Sequence, residues 1–122
     1  MIMKMNEVTP AMLLAEVEKL QSEFPDAVYK PNSDNWNGPS HGYTVGSAGN
    51  GVGCIVGQAW QRLGVSVEEI ESVEKTVAES ADTTAVGAML EYLGFNMDSS
   101  SVRALGAIQT RQDGNIQWRY CR

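Results

Sequence analysis

The stretch from His41 to Cys54 holds the only histidine of the 122-residue chain and one of its two cysteines, 13 residues apart. A cysteine at a helix start is a candidate nucleophile, because the helix dipole favours the thiolate and a nearby imidazole takes its proton. Asp34, Asn35 or Asn50 would orient His41, and the pair would make the chain a small cysteine-dependent hydrolase or transferase. The opposing reading treats Cys54 as an inert core residue. It runs straight into Ile55 and Val56 and shares a face with neither charge nor hydroxyl, and free cysteine is among the most buried residue types. The residues favour that second reading, with no catalytic group.

His41, Cys54 and Cys121 lack the paired, closely spaced ligands of a zinc site, so neither a metal nor another cofactor is expected. The run from Gly51 to Gly57 spells G-x-G-x-x-x-G, a spacing seen where helix amides meet a pyrophosphate. Its surroundings oppose that use. No buried strand precedes it, helix follows helix after it, and no Lys-Ser or Lys-Thr completes a phosphate loop.

The elements that must position these groups are mostly helical. Thr9-Pro10 reads as a hydroxyl cap followed by proline in the first turn, and Leu13, Val17, Leu20 and Phe24 form one helical face that Pro25 ends. Between 31 and 53 the chain is rich in Gly, Asn and Pro. Short β-like pieces at Ala27 to Lys30 and Gly42 to Val45 predict a small hairpin or an irregular loop there. Ser66 and Glu69 form a capping box for an acidic helix. Thr83 is positioned to cap a helix whose Val86, Met89, Leu90 and Leu93 share a face, and Asp98 or Ser99 opens a last helix with Val102, Leu105 and Ile108 inward and Gly114 at its end. Gly57–Val65 and Gly87–Phe95 share the pattern G-x5-L-G-apolar at an offset of 30, which predicts two helices ended by the same glycine chemistry. Trp118 must dock the remaining tail. The fold class expected is mainly α: one compact multi-helix domain over 1–122, frayed over 1–8, with a small β-hairpin or irregular loop inserted after the first helix.

Charge bounds the partners. The net charge of −6 opposes ordinary nucleic-acid binding, which needs a basic face. The charge is also polarised. Val65 to Thr83 carries Glu68, Glu69, Glu71, Glu74, Glu79 and Asp82 against Lys75, a balance of −5, whereas Phe95 to Arg122 carries four arginines against two aspartates, a balance of +2. An acidic helix of this kind offers Glu68, Glu71 and Glu74 to water and to a basic protein partner. Trp36, in the polar run NWNGPSHGY, is a rival anchor, since tryptophan is enriched among interface hot spots. Carboxylates along one continuous face would instead make the chain an acidic nucleic-acid mimic.

The run Cys54-Ile55-Val56-Gly57, with Leu63-Gly64-Val65, Leu93-Gly94-Phe95, Gln112-Asp113-Gly114 and Trp118, resembles a loose family of small proteins of actinobacteria and their phages that has no assigned activity. The resemblance spans roughly the last two-thirds of the chain and carries over no functional residue. It implies a non-catalytic accessory protein, a phage-encoded modulator of a host protein. No apolar run has the length of a membrane span, no direct nucleic-acid or membrane contact is expected, and a cytoplasmic location follows, the host's if phage-encoded. A homo-oligomer is left open.

Overall fold

The structure, a computed structural model, describes residues 2–30, 43–44, 47–49, 51–81 and 83–121. Their order is a 3-10 turn (Met5–Glu7), α1 (Pro10–Glu23), β1 (Ser47–Ala48), β2 (Gly51–Val52), α2 (Ile55–Arg62), α3 (Val67–Ala81), α4 (Val86–Tyr92), α5 (Ser100–Asp113) and a closing 3-10 turn (Trp118–Tyr120). This is the mainly helical single domain that the hydrophobic periodicity predicts, with one two-stranded hairpin. The hairpin joins Ser47 to Val52 and Ala48 to Gly51, and Lys30 adds a single antiparallel bridge to Ser47. The described pairing sits later in the glycine-rich stretch than the β-like piece expected at 42–45, of which Tyr43 and Thr44 form bends while Gly42 and Val45 lie outside the described residues.

Local signals explain most helix ends. The Thr9 hydroxyl accepts the Met12 N–H at 3.2 Å, and Pro10 occupies the first turn of α1. Phe24 leaves the helical region at φ −129° because Pro25 follows it. α2 and α4 end as a matched pair: Gly64 and Gly94 take φ of +102° and +95°. The amides after them, Val65 and Phe95, each reach back 3.0 Å, to the Trp60 and Leu90 carbonyls. These are Schellman ends, and they account for the internal echo.

Four expectations need correction. Residues 3–8 are not frayed: Met5 and Val8 are fully buried, the Met3 N–H donates to the Gly64 carbonyl, and the Met5 N–H donates to the Glu69 carboxylate. The capping box is accordingly only half made, since Ser66 accepts the Glu69 N–H at 3.2 Å while the Glu69 side chain serves Met5. Thr83 bonds the Ala85 N–H instead of capping α4, whose first amide, that of Val86, donates to the Gln109 side chain at 2.8 Å. Gly114 has an ordinary φ of −85°. The left-handed residue after α5 is Asn115 at φ 65°, a residue that tolerates that region better than most.

α1 packs on α2 and α5, α5 also packs on α4, and the main helical neighbour of α3 is α4. Leu13, Val17 and Leu20 of α1 meet a core that includes Ile55, Trp60, Leu90 and Leu105, each such side chain contributing about 1.5–3 kcal/mol when fully buried. The tail docks as its tryptophan requires. Trp118 is fully buried and meets Phe24 edge-on at 6.5 Å, and its backbone N–H donates to the Ala27 carbonyl at 2.9 Å. Gln21 of α1 clamps the same turn, donating to the Trp118 carbonyl at 3.0 Å and the Cys121 carbonyl at 2.5 Å. Among the described residues, no helix is long and apolar enough to cross a membrane.

Candidate functional site

The crowded glycines before α2 are explained by what lies against them. A Cβ at Gly57 would stand 1.8 Å from the Tyr43 carbonyl oxygen, and one at Gly53, where φ is +99°, would stand 2.0 Å from the same atom. Only glycine lets the 43–44 segment lie against the start of α2. The amides there are also already engaged. Ile55 N–H donates to the Gln112 side chain at 2.9 Å and Gly57 N–H to the Cys54 sulfur at 3.5 Å. A pyrophosphate would have to displace both, so the glycine run serves packing.

Cys54 is the cap of α2 and is 3% exposed. Burial pushes its thiol up from 9.0 to about 12, and the charges of Asp113 and Glu74 add to that rise against the pull of the Gly57 and Val56 amides. The helix dipole thus loses to desolvation, and at neutral pH the group is a thiol and a poor nucleophile. Both carboxylates come from other helices, Asp113 from α5 and Glu74 from α3, so the residues flanking Cys54 give no sign of them. His41, its proposed base, lies outside the described residues, as do Asp34, Asn35, Asn50 and Trp36. Cys121 is buried too, its thiol raised chiefly by desolvation. Among the described residues, no three His, Cys, Asp or Glu side chains gather where they could hold a metal ion.

Next to Cys54 opens a cleft of about 240 Å³ whose walls include Tyr43, Glu74, Thr83, Gln109 and Asp113. Tyr43 organises it. Its hydroxyl donates to the Thr84 carbonyl at 2.5 Å and accepts from the Gln109 amide at 2.9 Å, and its ring meets Trp60 edge-on at 5.3 Å. Its own N–H donates to the Glu74 carboxylate. Desolvation nevertheless raises the Glu74 carboxyl above the usual carboxylate range, with the neighbouring charge of Glu71 pushing the same way.

The acidic helix therefore divides by face. Glu68, Glu71 and Glu79 are exposed on α3, while Glu69 is half-buried against Met5 and Glu74 is half-buried against Tyr43. Glu74 does not face open water as the charge pattern suggests, because Ile70 and Val77 turn the adjoining side of the helix into the core. Lys75 also interrupts the exposed row, so a continuous acidic face of the kind a nucleic-acid mimic requires is absent among the described residues of α3.

Glutamines are what the sequence reading passed over. Gln109 caps α4, Gln112 caps α2, and Gln58 holds the hairpin by donating to the Ala48 and Gly53 carbonyls at 3.1 and 3.0 Å. A signal for them existed. Gln109 and Gln112 continue the inward stripe of Leu105 and Ile108 at helical spacing, and a polar residue on a core stripe implies a buried hydrogen bond. Compared with protein-family models, with curated proteins and with solved structures, the chain matches none of them.

Proposed function

We propose that the protein is a non-catalytic accessory protein that works by binding another protein, with the exposed side of α3 as its contact surface and a basic face as the matching surface of the partner. The observation that carries this reading is that Glu68, Glu71 and Glu79 are exposed and make no ion pair among the described residues. Arg62, by contrast, is taken by Glu16 at 3.2 Å and Glu23 at 2.6 Å, both on α1. Carboxylates crowded on one helix, with Lys75 the one cation among them, repel each other, so a basic partner relieves a cost already present in the free protein. A buried thiol pushed up to about 12 gives the rival thiol chemistry no ready nucleophile. The resemblance to small actinobacterial and phage proteins adds the setting: a phage-encoded modulator acting on a host protein in the host cytoplasm.

The test begins with capture of partners from an actinobacterial lysate and proceeds to association kinetics on the one recovered. Glu68→Lys with Glu71→Lys slows association and leaves the fold intact, since both side chains are exposed and surface charges contribute little to stability. Binding weakens as salt shortens the Debye length from about 10 Å at 0.1 M to about 3 Å at 1 M. Binding that ignores both salt and the double reversal refutes the assignment of α3. Loss of binding on Trp36→Ala alone, seen as faster dissociation, moves the surface to the 32–43 segment.

A further inference from the structure

Glu74 is the carboxylate of α3 that combines a position in the half-open cleft with the absence of an ion pair among the described residues. The Tyr43 N–H uses one of its acceptor positions, and a carboxylate offers about four. Around it the hydroxyls of Thr83 and Thr110 at the exposed rim can accept as well as donate, the Gln109 amide donates to the Tyr43 hydroxyl, and the Asp113 carboxylate, which already accepts from the Gln112 amide, lies beyond them. Glu74 and Asp113 together push up both the thiol of Cys54 and the phenol of Tyr43, so their negative potential reaches two separate walls of the same space. A group that enters is therefore favoured if it is a cation and a hydrogen-bond donor. Size narrows the choice. About 240 Å³ is below the roughly 300–1,000 Å³ of small-molecule sites, which suits the head group of one side chain better than a whole metabolite. A guanidinium is weakly hydrated for a cation and carries a planar fork of donors, so it loses less than an ammonium on entering a half-buried site of several acceptors.

We infer that the cleft between α3 and α5 is a socket for an arginine side chain of the basic partner, with Glu74 as its counter-ion. The inference rests on the reading of α3 as the partner-facing surface and adds the anchoring contact, at the inner edge of that surface. Arginine is among the residues enriched at such anchors, where partial desolvation strengthens a charge pair beyond what the exposed glutamates provide.

The test uses the full chain, labelled with nitrogen-15, and a capped arginine (N-acetyl-arginine N-methylamide) as probe, with capped citrulline as its neutral isostere and capped lysine as a second cation. The arginine probe shifts the amides of Tyr43, Thr84, Ala85 and Thr110 along one saturating curve, and citrulline does not. Glu74→Gln weakens that binding roughly tenfold, while the fold persists because the glutamine oxygen still accepts the Tyr43 N–H. Thermal denaturation of the variant checks that persistence. Equal responses to arginine and citrulline, or unchanged arginine binding in Glu74→Gln, overturn the socket. An equal or stronger response to lysine overturns the choice of arginine. The two readings fail separately: if reversal of Glu68 and Glu71 weakens partner binding but the arginine probe finds no site, only the socket falls. If that reversal leaves partner binding unchanged, the reading of α3 falls, and the socket falls with it as a partner contact.

Discussion

Treating the folded protein with a small alkylating reagent at neutral pH measures whether Cys54 is a reactive or a silent thiol. Its pKa of about 12 against the ordinary 9.0 leaves about 10³-fold less thiolate than a free cysteine. The rarer thiolate is intrinsically more nucleophilic, by roughly 20-fold for a shift of this size with a Brønsted slope near 0.45. Ionisation alone therefore slows alkylation about 50-fold. Burial to 3% exposure slows it further, since reagent must wait for the start of α2 to open away from the 43–44 segment. The assay is quenched labelling with peptide mass spectrometry, which separates Cys54 from Cys121, run in buffer and in denaturant. Native labelling of Cys54 more than about 50-fold slower than in denaturant is expected, with a rate that follows the opening free energy as denaturant rises. Stoichiometric labelling of the native protein at or above the denatured rate would refute the reasoning and return Cys54 and His41 to the position of a catalytic pair.

Gly57→Ala drives a methyl against the Tyr43 carbonyl at 1.8 Å, whereas Gly94→Ala meets nothing within 4 Å and strains only its φ of +95°; urea denaturation should show a loss of about 1 kcal/mol at Gly94 and a clearly larger one, or failure to fold, at Gly57. Glu74 has a folded pKa above its unfolded value, so its stabilising contribution is present below pH 4.5 and is lost as pH rises through the folded pKa. The melting temperature of Glu74→Gln should therefore gain on that of the unaltered protein between mildly acid and neutral pH, and a variant that loses ground over that interval contradicts the desolvation argument. Gln112→Ala leaves the Ile55 N–H at the buried start of α2 without its acceptor, an expected loss of about 1–3 kcal/mol, read by thermal denaturation; Gln117→Ala, whose side chain is in no described hydrogen bond, is its control.

The periodicity and caps of the chain determine its helices. Thr9-Pro10, the Schellman glycines Gly64 and Gly94 and the Ser99 cap act through bonds no more than five residues apart, so the sequence alone carries the information. Trp118 is legible for another reason: a large apolar ring in a short tail has nowhere to go but the core. The site belongs to the tertiary structure. Tyr43 meets Gly53 and Gly57, Glu74, Thr84 and Gln109 through contacts spanning up to 66 residues, and no local pattern encodes which carbonyl will press on which glycine. The same long-range packing turns Glu69 and Glu74 inward while leaving Glu68 and Glu71 in water, although all four read alike as acidic helix residues. It also decides Cys54, where the dipole of α2, a local effect visible in the sequence, favours the thiolate but is outweighed by desolvation and two carboxylates that only the fold brings near.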